Sequence, residues 1–371
     1  MTRPVVIAAG GTGGHMFPAL ALAAELEQRG QPVVLVCDRR GSRYLPAGTK
    51  GRLIRAASPS GDVATRLRGM AELALGFGQS LLLLRRQRPL AVAALGGYAC
   101  VPVGLAAQAL GIPTLIHEQN AVLGRANRLV ARRARRLAVS FAATQGAEIV
   151  PAPRRLLTGN PVRAEVAALS DRPYRLPASG ERLKLLVVGG SQGARVLSDV
   201  LPAAMARLSA RLRARIALTQ QCRPEDLDRV ASAYAELGYE AALKTFFDDL
   251  PERLAEAHVV ISRSGASSVA ELLALGRPAL LVPFRLAADD HQRANAEAVA
   301  AAGAGLVVGE NELDAARLAE QITAWVEQPE QLAEMAARAR ELGRPDAARA
   351  LADALESLAR EPSRLHREAL A

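Results

Sequence analysis

The stretch PVVIAAGGTGGHMFPALALAAELEQRGQPVVLVCD, residues 4–38, decides the fold. An apolar run, PVVIAAG at 4–10, meets a glycine loop; a helical pattern runs on to about Arg29 and stops at Gly30; a second apolar run, PVVLVCD, follows at 32–38. Strands buried on both faces read as unbroken β-branched runs, and parallel neighbours need a crossover, so the stretch is a βαβ unit. The same order restarts beyond Pro161: LKLLVVGG at 183–190 leads into a helix, and RIALTQ, LKTFF, HVVIS and ALLVPF follow as buried strands. The paired openings, Gly10-Gly11 and Gly189-Gly190, predict an α/β chain of two Rossmann-like domains, joined near 159–180 where prolines cluster with Arg, Ser and Gly. At 371 residues the chain also exceeds the roughly 250–300 that one core serves.

Charge is unevenly spread. Residues 1–163 hold 22 Lys or Arg against 7 Asp or Glu, a balance of +15, whereas the whole chain carries +10. The basic half favours phosphates of some kind without choosing among nucleotide, nucleic acid and anionic lipid. Aromatic residues make up only 3%, too few for the stacking platforms of single-strand readers, which argues against nucleic acid as a partner. Cys37, Cys100 and Cys222 form no CxxC pair, so neither a disulfide framework nor a structural zinc site is indicated, and a reducing cytoplasm fits. The opening MTRPVVIAAGG is too short in apolar residues for a secretory signal. Leu90–Ile116 carries no charge, yet Gly96, Gly97, Pro102, Gly104, Gly111 and Pro113 divide it into strand, loop, helix and strand, against a membrane helix.

Ligands of such sheets sit beyond the carboxyl ends of the strands, and the motifs fall there. Gly10-Gly11-Thr12-Gly13-Gly14-His15 lets backbone N–H groups approach an anion at a helix start; it misses GxGxxG at Met16 and has no GK[ST]. His15, at the positive end of a helix, is poised to be neutral and able to accept a proton, or else caps the helix. Gly189-Gly190-Ser191-Gln192-Gly193-Ala194-Arg195 suits a diphosphate, or is simply a tight turn. In Ser262-Arg263-Ser264-Gly265-Ala266-Ser267-Ser268, Ser268 and Glu271 match an S-x-x-E capping box, while a carboxylate in such a place also grips ribose hydroxyls. His117-Glu118-Gln119-Asn120 closes a strand and makes Glu118 a second candidate base. Asp289, Asp290, His291, Gln292 and Asn295 form a polar island without metal-ligand spacing.

Seven motifs in order, GGTGGH at 10–15, GGY at 96–98, HEQN at 117–120, GNPVR at 159–163, GGSQGAR at 189–195, SRSGA at 262–266 and the pair Gln292 and Asn295, closely resemble the MurG family of bacterial peptidoglycan N-acetylglucosaminyltransferases. The resemblance spans nearly the whole chain and implies a GT-B fold, two Rossmann-like domains with parallel sheets facing a cleft. It implies that residues 1–163 form an acceptor and membrane-side domain, that 164–344 bind UDP-N-acetylglucosamine, and that a helix at about 345–360 packs back on the first domain. The acceptor would be undecaprenyl-pyrophosphoryl-muramyl-pentapeptide, whose 4-hydroxyl displaces UDP with inversion.

Carried over by the same resemblance, Thr12, Gly13, Gly14 and Asn120 meet the donor sugar, and Arg163 and Ser191 lie by the diphosphate. The backbone of Phe247 reads the uracil; Ser264 and the segment Ala266, Ser267, Ser268, Val269 hold phosphate, with Ala270 in the same binding segment. Glu271 holds the ribose and Gln292 the sugar hydroxyls. His15 is expected as the base with Glu118 as runner-up, and Arg163, Arg263 and the glycine-loop N–H groups as the electrostatic part. No DxD-like set stands in the donor half, so neither a metal nor another cofactor is expected. Residues 287–291, Ala-Ala-Asp-Asp-His, depart from the His-Lys-Asp-Arg-Gln of many relatives, which puts sugar contacts from His291 in doubt.

Six arginines crowd 125–136 without an acid, and Arg66, Arg68, Arg85, Arg86 and Arg88 flank the apolar stretch Met70 to Leu84. Peripheral docking on anionic lipids at the cytoplasmic face of the inner membrane is expected, with Met70, Leu73, Phe77 and Leu84 turned to the core. Two alternatives remain: a diacylglycerol glycosyltransferase, and a non-catalytic nucleotide or nucleic-acid binder.

Overall fold

The computed structural model describes residues 3–49, 51–190 and 193–361; Ser191 and Gln192 of the second glycine loop lie outside them. The chain divides into two compact units, Met1–Arg163 with Asp346–Ala371, and Ala164–Pro345. Among the described residues the first unit holds one parallel sheet of strands β1 (Val5–Ala8), β2 (Val33–Cys37), β3 (Arg52–Leu53), β4 (Val92–Ala94), β5 (Thr114–Glu118), β6 (Arg136–Val139) and β7 (Arg155–Leu157). Their order is β3-β2-β1-β4-β5-β6-β7. Central β1 pairs on both edges, Val6 opposite Val34 and Val92, and all four of its residues are buried, which is why it reads as pure Val, Ile and Ala.

The second unit repeats the plan with β8 (Leu183–Val188), β9 (Ile216–Gln221), β10 (Ala242–Lys244), β11 (Val259–Ser262), β12 (Ala279–Leu281) and β13 (Gly305–Val307), in the order β10-β9-β8-β11-β12-β13. The direction of winding therefore reverses between β1 and β4, and again between β8 and β11. Crevices for ligands open at the carboxyl ends of just such strand pairs. The run LKTFF is only partly a strand: β10 ends at Lys244, and Phe247 stands in the loop beyond it.

The uncharged stretch resolves into β4, a helix Cys100–Ala109 and β5, and among the described residues no helix is long and apolar enough to cross a membrane. The last described helix, Ala347–Arg360, lays Leu351, Ala352, Leu355 and Leu358 onto Leu22, Ala23 and Leu26 of helix Gly13–Gln28. Arg29, beside this seam, pairs with Asp353 (2.6 Å) and Glu356 (3.5 Å).

Helix Val63–Gln87 corrects one expectation. Its buried line is Gly69, Gly76, Ser80 and Leu84, and a Cβ on Gly76 would overlap the Arg55 carbonyl oxygen. Small residues let this helix lie close to the chain before it, so Met70 is turned outward, 59% exposed, with Val63 at 72% and Leu67 at 61%.

Candidate functional site

In the first unit the chain leaves β1 through Ala9, Gly10 and Gly11 and enters helix Gly13–Gln28 with Thr12 at the cap position in extended backbone. His15 is therefore inside the first turn and is not the cap. Asp38, just past β2, is drawn under this loop, its Oδ1 accepting the N–H of Gly11 (3.0 Å) and of Gly41 (2.7 Å). In dinucleotide-binding folds an acid near this place grips a ribose; this one is committed to the loop, which speaks against a nucleotide on the first sheet.

The GGY motif after β4 has a steric reason. Gly97 has φ +75°, and a Cβ on it would stand 2.3 Å from the Gly10 carbonyl oxygen. Gly96 has φ +92°, and a Cβ there would lie 2.6 Å from Nδ1 of His15. No residue but glycine lets the two strand ends and the imidazole approach so closely.

The HEQN motif separates its members. Glu118 is 1% exposed, and both carboxylate oxygens are taken. Oε1 accepts the N–H (3.0 Å) and Nδ2–H (3.1 Å) of Asn120, and Oε2 accepts from Gly124 N–H (2.9 Å) and Asn127 Nδ2 (2.8 Å). A carboxylate so enclosed organises the loop after β5; a base must offer its acceptor to substrate. The place of Glu118 as runner-up base is corrected accordingly. His117 is wholly buried, and burial pushes its pKa down to about 4, so it is neutral near pH 7. Gln119 reaches back across 104 residues of sequence to His15, its Oε1 lying 3.1 Å from Nδ1. Sequence reasoning gave no role to Asp38, Gln119 and Asn127; an Asp just past β2 and amides one and nine residues past the end of β5 were the signals present. Arg163 ends the first unit.

In the second unit β8 runs into Gly189 and Gly190. A Cβ on Gly189 would stand 2.3 Å from the Ala194 nitrogen, and Gly193 has φ +68°, so these glycines serve a tight turn as well as any ligand. After β11 come Arg263, Ser264 and Gly265, the last being the N-cap of helix Ala266–Ala274. This corrects the capping-box alternative for Ser268 and Glu271: extended backbone at Gly265 starts the helix three residues earlier, so both residues are helical. The helix start has no side-chain cap and no acid in its first turn. The N–H groups of Ala266, Ser267 and Ser268, the first of the helix, are thus presented outward with the positive end of the dipole. Beside them the Ser267 hydroxyl is buried with no partner. Val269 and Ala270 continue the helix, and Glu271, 8% exposed, lies one turn on.

Behind this start, Ser264 Oγ donates to the Gln292 carbonyl (2.7 Å), Asn295 Nδ2 donates to the Ser264 carbonyl (3.0 Å), and Gln292 Oε1 accepts the Phe284 N–H (3.0 Å). SRSGA and the Gln292 and Asn295 pair are thereby one network. Arg263 is 8% exposed and held by Glu310 (3.0 Å) and the Val282 and Pro283 carbonyls. That positive charge is neutralised within the protein, so Arg263 braces β12 and is withdrawn from the electrostatic set. Asp289 (φ +53°) and Asp290 (φ +50°) hold consecutive left-handed conformations, a strain of about 1–3 kcal/mol each, just before Gln292. His291 turns its Nδ1 to the Ala288 carbonyl (2.7 Å) on the exposed side. Phe247 is buried under the Arg253 guanidinium, 4.7 Å from its ring, so its side chain is committed to the protein. Among the described residues no cluster of three or more His, Cys, Asp or Glu is arranged to hold a metal ion.

Comparison with known proteins agrees with this duplicated plan. Residues 5–139 match the glycosyltransferase family 28 N-terminal domain and 184–351 its C-terminal domain. The chain is 51% identical over 360 residues to the UDP-N-acetylglucosamine--N-acetylmuramyl-(pentapeptide) pyrophosphoryl-undecaprenol N-acetylglucosamine transferase of Paramagnetospirillum magneticum, covering 95% of this chain and 96% of that one. It is 50% identical to the protein of the same name from Rhodospirillum centenum, covering 95% and 93%. The crystal structure of Acinetobacter baumannii MurG superposes with a TM-score of 0.79 at 29% identity, covering 95% of this chain and 99% of that one. A UDP-GlcNAc 2-epimerase from Neisseria meningitidis, solved bound to UDP-GlcNAc, shares the fold at a TM-score of 0.67 and 16% identity.

Proposed function

The chain belongs to glycosyltransferase family 28, and from that premise we infer that it transfers N-acetylglucosamine from UDP-N-acetylglucosamine to the 4-hydroxyl of lipid-linked N-acetylmuramyl-pentapeptide. The observation that carries the donor half is the Ser267 hydroxyl, buried and unpartnered beside the open start of helix Ala266–Ala274. A hydroxyl without a protein partner, placed at a helix start that is itself an anion site, is suited to donate to a ligand oxygen. The UDP diphosphate is the anion, with Ser264, Ala266, Ser267, Ser268 and Val269 around it, Glu271 on the ribose, Phe247 at the uracil, and Gln292 on the sugar. The acceptor oxygen forms its bond to the anomeric carbon as the bond to the diphosphate breaks; the hydroxyl proton passes to His15, and UDP leaves.

UDP release from UDP-N-acetylglucosamine with a lipid-linked muramyl-peptide analogue tests this reading; a wild-type protein indifferent to that acceptor defeats it. Ser267→Ala sharpens the test. Removing an unsatisfied buried hydroxyl is expected to stabilise the empty protein by about 1 kcal/mol, or roughly 2 °C in Tm. The same change is expected to weaken UDP binding about 10-fold or more, because a hydrogen bond to a charged oxygen is lost. A variant with lowered Tm and unaltered UDP affinity would place the diphosphate elsewhere.

The enzyme docks on the membrane surface that presents its acceptor, at the cytoplasmic face, through helix Val63–Gln87. Val63, Leu67 and Met70 project from one side of its first two turns, with Arg66 and Arg68 between and beside them. Apolar side chains in the headgroup layer, and about 1 kcal/mol from each arginine near an anionic leaflet, suffice for reversible binding. Sedimentation with phosphatidylglycerol-containing vesicles at low salt is expected to fall at least fivefold in Leu67→Glu/Met70→Glu, with transfer to a water-soluble acceptor analogue retained. Unchanged sedimentation would remove this helix from the contact.

A further inference from the structure

A hydrogen-bonded chain behind His15 settles which of its nitrogens carries the proton. It begins at a group with only one role, the carbonyl of Gly159, which accepts from Nε2 of His117 at 2.9 Å. Nε2 of His117 therefore bears hydrogen. Because this imidazole is fully buried and neutral, Nδ1 holds a lone pair, and the Gln119 Nε2 amide donates to it at 3.1 Å. The same amide nitrogen donates its other hydrogen to the Leu95 carbonyl at 2.7 Å. With both hydrogens so directed, the amide cannot be turned round without setting its oxygen against two acceptors. Oε1 of Gln119 must face Nδ1 of His15, 3.1 Å away, and an amide oxygen only accepts. His15 therefore donates from Nδ1.

We propose that Gln119 and His117 are positioning residues that hold His15 as its Nδ1–H tautomer, so that Nε2 presents the lone pair that takes the acceptor's hydroxyl proton. The inference rests on the reading of His15 as base, and adds to it the residues that make one nitrogen the basic one. A neutral imidazole interconverts its tautomers readily in water, so a base used through one nitrogen needs the other pinned. Burial of His117 and the packing of glycine at 96 hold the relay in place: nothing larger than hydrogen fits at Gly96 between the strand end and the His15 ring.

The test reads the tautomer directly. In full-length protein labelled with 15N-histidine, long-range proton–nitrogen correlations distinguish protonated from unprotonated ring nitrogens, and the His15→Gln spectrum assigns the His15 signals among the five histidines. Nδ1 protonated and Nε2 bare is the result expected; an Nε2–H tautomer, or an even mixture, overturns the proposal. Gln119→Met keeps the bulk and removes the amide, and is expected to abolish the bias and lower kcat about 10- to 100-fold with both KM values within twofold. Gln119→Glu, which returns an acceptor toward Nδ1 but turns its second oxygen on the Leu95 carbonyl and Nδ1 of His117, is expected to turn over no faster than Met. Loss of the bias with kcat unchanged overturns the catalytic use of the tautomer, and His15→Ala then separates that failure from failure of the base assignment itself. The wild-type spectrum decides the tautomer whether or not either variant folds.

Discussion

Replacing His15 with alanine is expected to lower kcat by about 10²- to 10⁴-fold, the usual contribution of a positioned general base. The KM for UDP-N-acetylglucosamine should stay within about threefold, since the diphosphate, ribose and uracil determinants are proposed on the second unit. His15 is half-buried in the first turn of helix Gly13–Gln28, and the side chain is directed by Gln119. Alanine is a good helix former, so the helix should survive the change and the loss should be one of turnover. Glu118→Gln makes the contrast. It places an amide NH2 among four donors that the carboxylate now satisfies, so its loss of activity should come with a lowered Tm. Steady-state kinetics on the lipid-linked analogue, with thermal unfolding alongside, check both. His15→Ala retaining a third or more of wild-type turnover would end the case for this imidazole as base.

Gly97→Ala should be strongly destabilising. The backbone there has φ +75°, where an L side chain costs about 1–2 kcal/mol, and the added Cβ would lie 2.3 Å from the Gly10 carbonyl oxygen. The three atoms nearest to it are all main chain of Gly10, just past β1, so none can swing aside as a side-chain tip would. Adding about 1–3 kcal/mol for forced overpacking gives a destabilisation of roughly 2–5 kcal/mol, a large share of what holds a domain folded. Surviving protein should also transfer slowly, because displacing Gly10 moves the loop that leads into His15. Denaturant unfolding measures the first effect. A midpoint within error of wild type would show that the loops part freely and that the GGY motif has another purpose.

Fold class was plain in residues 4–38 because a strand covered on both faces must be apolar throughout, and a glycine must break it where the chain turns into a helix. The second unit repeated that code from Leu183. Less was legible where one residue type serves two ends. Ser268 and Glu271 fit a capping box by spacing, but Gly265 already begins the helix, and only backbone dihedrals reveal that. Met70 belonged to an apolar periodicity that suggested core; Leu84 of that set is buried, but beside it the buried line is Gly69, Gly76 and Ser80, which lie close to the preceding chain, and Met70 is turned out. Arg263 looked like a partner for phosphate until Glu310, 47 residues on, was seen to hold it.

By itself the sequence determined the winding of each unit, the placing of its motifs at strand ends and, through seven ordered motifs, the family and the reaction. These depend on local pattern: periodicity, glycine at strand ends, and residue types recurring in one order. Tertiary structure alone encloses Glu118 among donors and turns His15 toward Gln119. It also left the Ser267 hydroxyl without a partner and linked Gly159 to His15 through two intervening side chains. Basicity and vacancy belong to a side chain's surroundings in space, and those surroundings are supplied by residues that stand far apart along the chain.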